Sequence, residues 1–367
     1  MSYLHKITAL RKLLFILFFC TPFLAYSQVV RKYSNEFMSI GVDAAALGMS
    51  NAVTSSTADV NAGYWNPAGL LGVQDKQLAL MHASYFANIA QYDYAAFAMP
   101  LEDRRSAIGV SIIRFGVDDI LNTTQLIDSE GNIDYNRISL FSAADYGITL
   151  SYARAAPLDG FNYGVNAKVI RRVIGKFANS WGFGFDLGFQ YQTKNEWKFG
   201  LMLRDITTTY NVWNINEDEY ATVSGAVAGQ NQELPETSEI TLPKAQFGMS
   251  KKFIFHYDYS LLAAVNLNMQ FAKTNDIVNL DFVSIDPAAG FEFGYLDLVF
   301  LRAGVGNFQN EKQIDNSTSL SFQPNIGLGF KYRGISVDYA LTDIGDQSVA
   351  LYSNIFSLKV DLGIFSR

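Results

Sequence analysis

Residues 180–192 read SWGFGFDLGFQYQ. Trp181, Phe183, Phe185, Leu187, Phe189 and Tyr191 share one parity, and Gly182, Gly184, Asp186, Gly188, Gln190 and Gln192 share the other. Strict period-two alternation marks a strand with one oily and one polar face. Strands in soluble sandwiches run about five or six residues. This one runs about a dozen, the length a tilted strand needs to cross a bilayer.

The pattern recurs along the chain. Tyr146, Ile148, Leu150 and Tyr152 alternate with Gly147, Thr149 and Ser151, and Phe356, Leu358, Val360, Leu362 and Ile364 with Ser357, Lys359, Asp361 and Gly363. Charge confined to one face suits a polar lumen behind a lipid-facing wall. The alternation predicts strands over 76–89, 91–101, 105–116, 145–156, 160–174, 178–193, 195–208, 240–253, 255–270, 287–296, 298–308, 320–332, 334–343 and 352–365, with 276–285 left in a loop. The connections LEDR, PLDG, TKNE, a break near Ile254, YLD and YRG follow even-numbered strands, whereas the long ones, 117–144, 209–239, 271–286, 309–319 and 344–351, follow odd-numbered strands. Short periplasmic turns and long outer loops are the asymmetry of an outer-membrane barrel. The predicted class is all-β, a transmembrane antiparallel barrel of 14 strands over 76–367.

Composition agrees. Of 367 residues, 14% are aromatic and 17% charged, with 28 Phe and 20 Tyr, a balance suited to aromatic girdles rather than a soluble enzyme. Net charge is −7, and the absence of a basic patch argues against nucleic acid as a partner. At the N-terminus, His5, Lys6, Arg11 and Lys12 precede the apolar LLFILFF (13–19), followed by small residues at AYS (25–27). This is the layout of a secretory signal peptide over 1–27, with cleavage before Gln28. The only cysteine, Cys20, lies inside it after the bulky Phe19, so the mature chain has no thiol chemistry and lipidation is not expected.

Residues 28–75 lack barrel alternation and end in GYWNPAGLLG (63–72). Pro67 has no N–H and a fixed φ, which excludes an inner strand here. A segment of this length, tethered to the first strand, is expected to fold back into the lumen as a plug, with Trp65, Asn66, Pro67 and Ala68 forming its turn. These residues resemble the PorV/PorQ family within the wider FadL-like barrels: SIGVDAAALGMSNA (39–52), ADV (58–60) and WNPAGL (65–70) match its opening. Asn66, Pro67 and Ala68 fall on the NPA motif of the FadL-like hatch. The resemblance implies a 14-stranded barrel with an N-terminal hatch, located in the outer membrane of Bacteroidetes and serving type IX secretion. The partners it implies are translocon or attachment proteins and the C-terminal domains of cargo, besides outer-membrane lipid.

No residue set for catalysis, cofactor binding or metal ligation stands out. His82 and His256 lack a metal-ligand pattern, and neither a G-x-S-x-G elbow nor a phosphate-cradling glycine loop occurs. Asp118–Asp119 and NEDEY (216–220) read as solvated loop tips without the ligand order of a calcium loop. One of the adjacent pair Arg171 and Arg172 must face lipid or the interface and snorkel to headgroups, leaving the other for a cargo carboxylate. In the loop 209–239, exposed Val212, Trp213 and Ile215 are the candidate partner contacts. Two functions compete on this scaffold: non-enzymatic protein handling in type IX secretion and, as the alternative, a FadL-like channel for hydrophobic small molecules. The lumen-facing positions, mostly Gly, Ser, Asn, Asp and Gln, favour the first.

Overall fold

The computed structural model describes residues 34–127, 130–219, 237–312, 317–342 and 353–365. The signal-peptide expectation, and NEDEY beyond Glu219, lie outside them. The described residues form one compact unit. Its strands make a single antiparallel sheet that closes on itself, because the first strand pairs with both the second and the last.

Strands β1 to β6 are Gln77–Tyr85, Ala90–Pro100, Ser106–Asn122, Ser139–Ala155, Phe161–Ile174 and Ala178–Gln192. Strand β7 comes in two pieces, Trp197–Arg204 and Thr209–Ile215, both paired with β6. Strand β8 is likewise divided, into Ser238–Thr241 and Lys244–Phe255, where Pro243 withholds a ladder donor. Strands β9 to β14 are Tyr259–Gln270, Ser284–Tyr295, Val299–Lys312, Thr318–Tyr332, Ile335–Thr342 and Ser353–Asp361. A two-residue piece, Val278–Asn279, only leans on the start of β10. The closed barrel of the described residues thus has 14 strands, as the alternation predicts.

Four expectations need correction. Strand β1 stops at Tyr85, because Phe86, Ala87 and Asn88 take left-handed φ in a tight turn. The β8–β9 break is not near Ile254 but at His256–Asp258, where His256 and Tyr257 are left-handed. The chain leaves β14 at Asp361 for a 3₁₀ turn, Leu362–Phe365. The fourth concerns the long connections: β3 and β4 pair out to Asn122 and Ser139 past a bulge at Val117–Ile120, and β7 runs to Ile215. Backbone pairing continues beyond the bilayer, where lipid no longer enforces an oily face. Alternation therefore understates strand length on that rim.

On β6 the parities separate as expected. Trp181, Phe183 and Phe185 are exposed on the outer face, while Gly182, Asp186 and Gly188 turn inward. The lumen is filled by the inner segment, residues 34–76, which carries the helical turns Ala44–Gly48, Ala62–Trp65 and Pro67–Gly72. It reaches every side of the wall: Ala44 N–H donates to Ser357 Oγ, Asn266 Nδ2 to Asn51 O, Asn325 Nδ2 to Ser50 Oγ, and Arg204 to Tyr64 O. Its apolar side packs on β1–β3, where inward positions are Met81, Tyr92, Tyr94 and Ile113 rather than polar residues. The other strands meet it with glycine and with hydrogen-bonding side chains.

Two wall glycines show what that proximity requires. A Cβ on Gly188 would overlap Asn66 Oδ1 and the Pro67 ring, and one on Gly164 would overlap the Pro67–Ala68 peptide. Gly188→Val should therefore leave the barrel closed but lift the turn off the wall, at a cost of about 3 kcal/mol, the upper end for overpacking. The expected outcome is an unchanged heat-modifiable gel band together with new protease cleavage within residues 34–73. A segment as resistant as the parent's would show that this contact does not hold it.

Candidate functional site

The turn Trp65–Ala68 is built from three local choices. Pro67 opens the 3₁₀ turn Pro67–Gly72 at its first position, where no N–H is needed. Asn66 is extended, and its Oδ1 accepts Ala68 N–H at 3.2 Å, capping that turn. Its Nδ2 donates to Thr54 O and to Phe189 O, both at 3.0 Å, so one fully buried amide ties turn, segment and wall together. The Trp65 Nε1–H donates to Val42 O at 3.0 Å, and its ring meets Tyr64 edge-on at 4.8 Å. The four residues singled out in the sequence are thus brought together, buried, in one turn.

Trp65 is 3% exposed, and it borders two cavities. The larger, about 1130 Å³, lies on the short-turn side of the inner segment and is lined by charged residues including Asp59, Glu292, Arg302, Lys331 and Lys359. The smaller, about 340 Å³, lies on the long-connection side, and its lining is rich in amides. Residues Met49–Asn51 and Trp65 form the partition between them.

Ion pairs that the sequence did not reveal tie the segment to the wall and brace the wall beside it. Lys359 on β14 pairs with Asp59 of the segment. Arg302 bridges Glu292 and Asp338, each at 2.6 Å, on the adjoining wall. Lys168 sits buried between Asp186 at 2.7 Å and Asp205 at 2.6 Å, while Asn166 donates to Gly63 O. Arg204 lies 4.6 Å over the Tyr64 ring. Asp186 is visible on the polar parity of β6, but its partners sit on the two neighbouring strands and carry no local signal.

Asp43 caps the turn Ala44–Gly48 and accepts the Ser357 hydroxyl at 3.0 Å. Burial pushes its carboxyl up to about 6, against the pull of Lys359 and with the added repulsion of Asp338 and Asp59.

The other predicted residues do not join this site. Val212, Trp213 and Ile215 are not on a loop; they belong to the second piece of β7, paired with β6. Val212 is 61% exposed on the outer face, whereas Trp213 is half-buried with Arg172 5.1 Å over its ring. Arg172 already binds Asp145 at 2.9 Å and Glu239 at 3.2 Å, and Arg171 covers Trp181 and donates to Asn179. Neither arginine is left waiting for an external carboxylate. Asp118 pairs with Arg114 at the β3 bulge, and His82 with Asp93 on neighbouring strands. Among the described residues no three His, Cys, Asp or Glu side chains converge as metal ligands.

With this geometry, the chain is similar to several solved barrels. The Pseudomonas putida toluene transporter TodX aligns over 90% of this chain and 98% of its own, with a TM-score of 0.52 at 11% identity. CymD, a monoaromatic hydrocarbon channel, aligns over 87% and 97%, with a TM-score of 0.52 at 12% identity. The Ralstonia pickettii toluene transporter TbuX aligns over 88% and 98%, with a TM-score of 0.50 at 11% identity. The chain has the FadL-like barrel fold. No family model matches the sequence, and no curated protein matches it. At these identities the likeness is one of fold.

Two outcomes test the partition. Truncating a buried Trp costs about 3–5 kcal/mol, so Trp65→Ala combined with Pro67→Gly should turn a nearly silent barrel into one conducting small ions in planar bilayers. Equal silence would mean that other residues block the lumen. The second outcome concerns pH. Asp43 titrates near 3.8 when free and near 6 in place, so its support for the partition is full below 3.8 and lost as pH rises through 6. Conductance events should become more frequent from pH 5 to pH 7.5, and Asp43→Asn should abolish that dependence.

Proposed function

We propose that this chain is a non-enzymatic outer-membrane channel for small molecules, with residues 34–76 as its hatch. The observation that carries the reading is the divided lumen: two cavities, one on each side of Trp65, within one closed wall. A solute entering on the long-connection side reaches the amide-lined chamber, passes when the partition moves, and leaves through the charged chamber. The fold likeness to TodX, TbuX and CymD, described as toluene transporters and a monoaromatic hydrocarbon channel, supports a channel over protein handling, and hydrophobic solutes are the class those names suggest. Fold by itself does not set the solute.

A second reading, protein handling in type IX secretion by a PorV/PorQ-like chain, retains one specific support. The stretches that carry that resemblance are all held inside the wall: Trp65 Nε1–H joins 65–70 to Val42 O, Asp59 meets Lys359, and Asn66 joins turn to wall. Its contact surface would be the long-connection rim beyond β7.

Solute entry into sealed vesicles carrying the purified protein separates these readings. The channel reading expects uptake above protein-free vesicles and a rise of roughly tenfold in the Trp65→Ala, Pro67→Gly variant, the rate effect of about 1.4 kcal/mol off a barrier. Vesicles that stay tight to every solute in both proteins would reject it. Deleting residues 217–236 should then leave flux intact, whereas the second reading expects that deletion to abolish co-purification of partner proteins from native membranes.

A further inference from the structure

The chamber on the long-connection side has a chemistry that neither reading assigns. Its wall is amide-rich, with Gln246, Asn268, Gln270, Gln323 and Asn325 from strands β8, β9 and β12. Its charges cancel within the chamber. Lys244 is neutralised by Glu36 at 2.9 Å, and Arg204 and Asp286 are one base and one acid, engaged with Gln246 Oε1 and Phe308 N–H respectively. No ring face is offered: Tyr64 is covered by Arg204 and abuts Trp65, and both rings are almost wholly buried.

An apolar solute here would strip water from these amides and return no hydrogen bond, which costs about 1–3 kcal/mol per group. A charged solute would find no net countercharge. What remains is a neutral molecule rich in hydroxyls. Asn325 supplies an independent sign. It is 7% exposed, its Nδ2 donates to Ser50 Oγ at 2.8 Å, and its Oδ1 has no partner among the described residues. Asn51 Oδ1, beside Ser50 in the same lining, is likewise unmatched. Buried acceptors of this kind ask for a donor, and a sugar hydroxyl donates and accepts at once.

We propose that this chamber binds a compact, uncharged, hydroxyl-rich solute of monosaccharide size, with Asn325 and Gln323 among its hydrogen-bonding residues. The volume of about 340 Å³ is at the small end of ligand sites. The proposal rests on the channel reading for its purpose, since the chamber would be the first station of a permeating solute, but not for its test.

The experiment is saturation-transfer NMR with D-glucose as probe and the full-length protein in an amine-oxide detergent, which carries no sugar headgroup. The expected result is transfer to the glucose ring protons that falls at least fivefold in Asn325→Leu. Because Asn325 also touches Ser50, Gln323→Leu serves as a second variant. Its amide bonds only Asn307 among the described residues, and it should weaken the signal similarly while keeping the heat-modifiable band. No transfer in the parent, or transfer unchanged in both variants, would overturn the proposal. Vesicle flux is read separately: bound glucose that never crosses rejects the channel and leaves the site, and toluene crossing without glucose binding does the reverse.

Discussion

The structure depends on one demand: backbone that is neither helix nor sheet has to be satisfied inside a closed wall. Every peptide group in the turn at Asn66 is removed from solvent, and each orphan carries a cost comparable to a lost hydrogen bond. Asn66 meets that demand almost alone. Its N–H donates to Ala62 O, its carbonyl accepts Gly69 N–H, and its side chain serves Ala68, Thr54 and Phe189. An Asp lacks the two N–H donors for Thr54 and Phe189, and a Gln places them one carbon too far. The turn, the position of Trp65 and the division of the lumen all follow from this amide.

The ion pairs play a different part. A buried pair contributes little net stability, because desolvation offsets most of the attraction, yet losing one partner is expensive. Lys359 with Asp59, and Lys244 with Glu36, therefore act mainly to reject other placements of the segment, while Lys168 between Asp186 and Asp205, and Arg302 between Glu292 and Asp338, fix the wall strands beside it. A segment shifted along the wall would part Lys359 from Asp59 and carry Asp43 away from Ser357. Specific registration matters more here than adhesion, because the apolar packing on Tyr92, Tyr94 and Met81 already supplies adhesion.

Much of this was legible in the sequence, and what escaped has a physical reason. Period-two alternation is a local signal, so the wall, its 14 strands and the tight turns on one rim could be read directly. The WNPA turn was also local, since Pro67 and Asn66 announce themselves. The sequence does not decide Trp213, because an aromatic at the end of a strand looks the same whether it faces outward or pairs with an arginine such as Arg172. The partners Asp59 and Lys359 lie some three hundred residues apart, and only closure of the barrel brings them together. The polar parity was correct for most strands but failed on β1–β3, whose inner face is apolar because it is the bed of the inner segment rather than the side of a channel.

The interruption of β7 has a mechanical consequence. Around most of the circumference the wall is hooped by backbone ladders, which make a tube stiff. Between Arg204 and Thr209 that hoop gives way to a four-residue excursion, with Asp205 and Thr208 in left-handed conformations and Ile206 N–H to Phe185 O as the surviving backbone link to β6. Load there is carried by side chains: Asp205 N–H on the Asp186 carboxylate, Thr209 on Asp205, and Lys168 across both acids. A tube with one such seam does not deform evenly. When the bilayer squeezes it, ovalisation concentrates at the seam, next to Arg204 and hence to the Tyr64 carbonyl it grips. Any strain at that seam is thus one hydrogen bond away from the aromatic pair at the centre of the lumen.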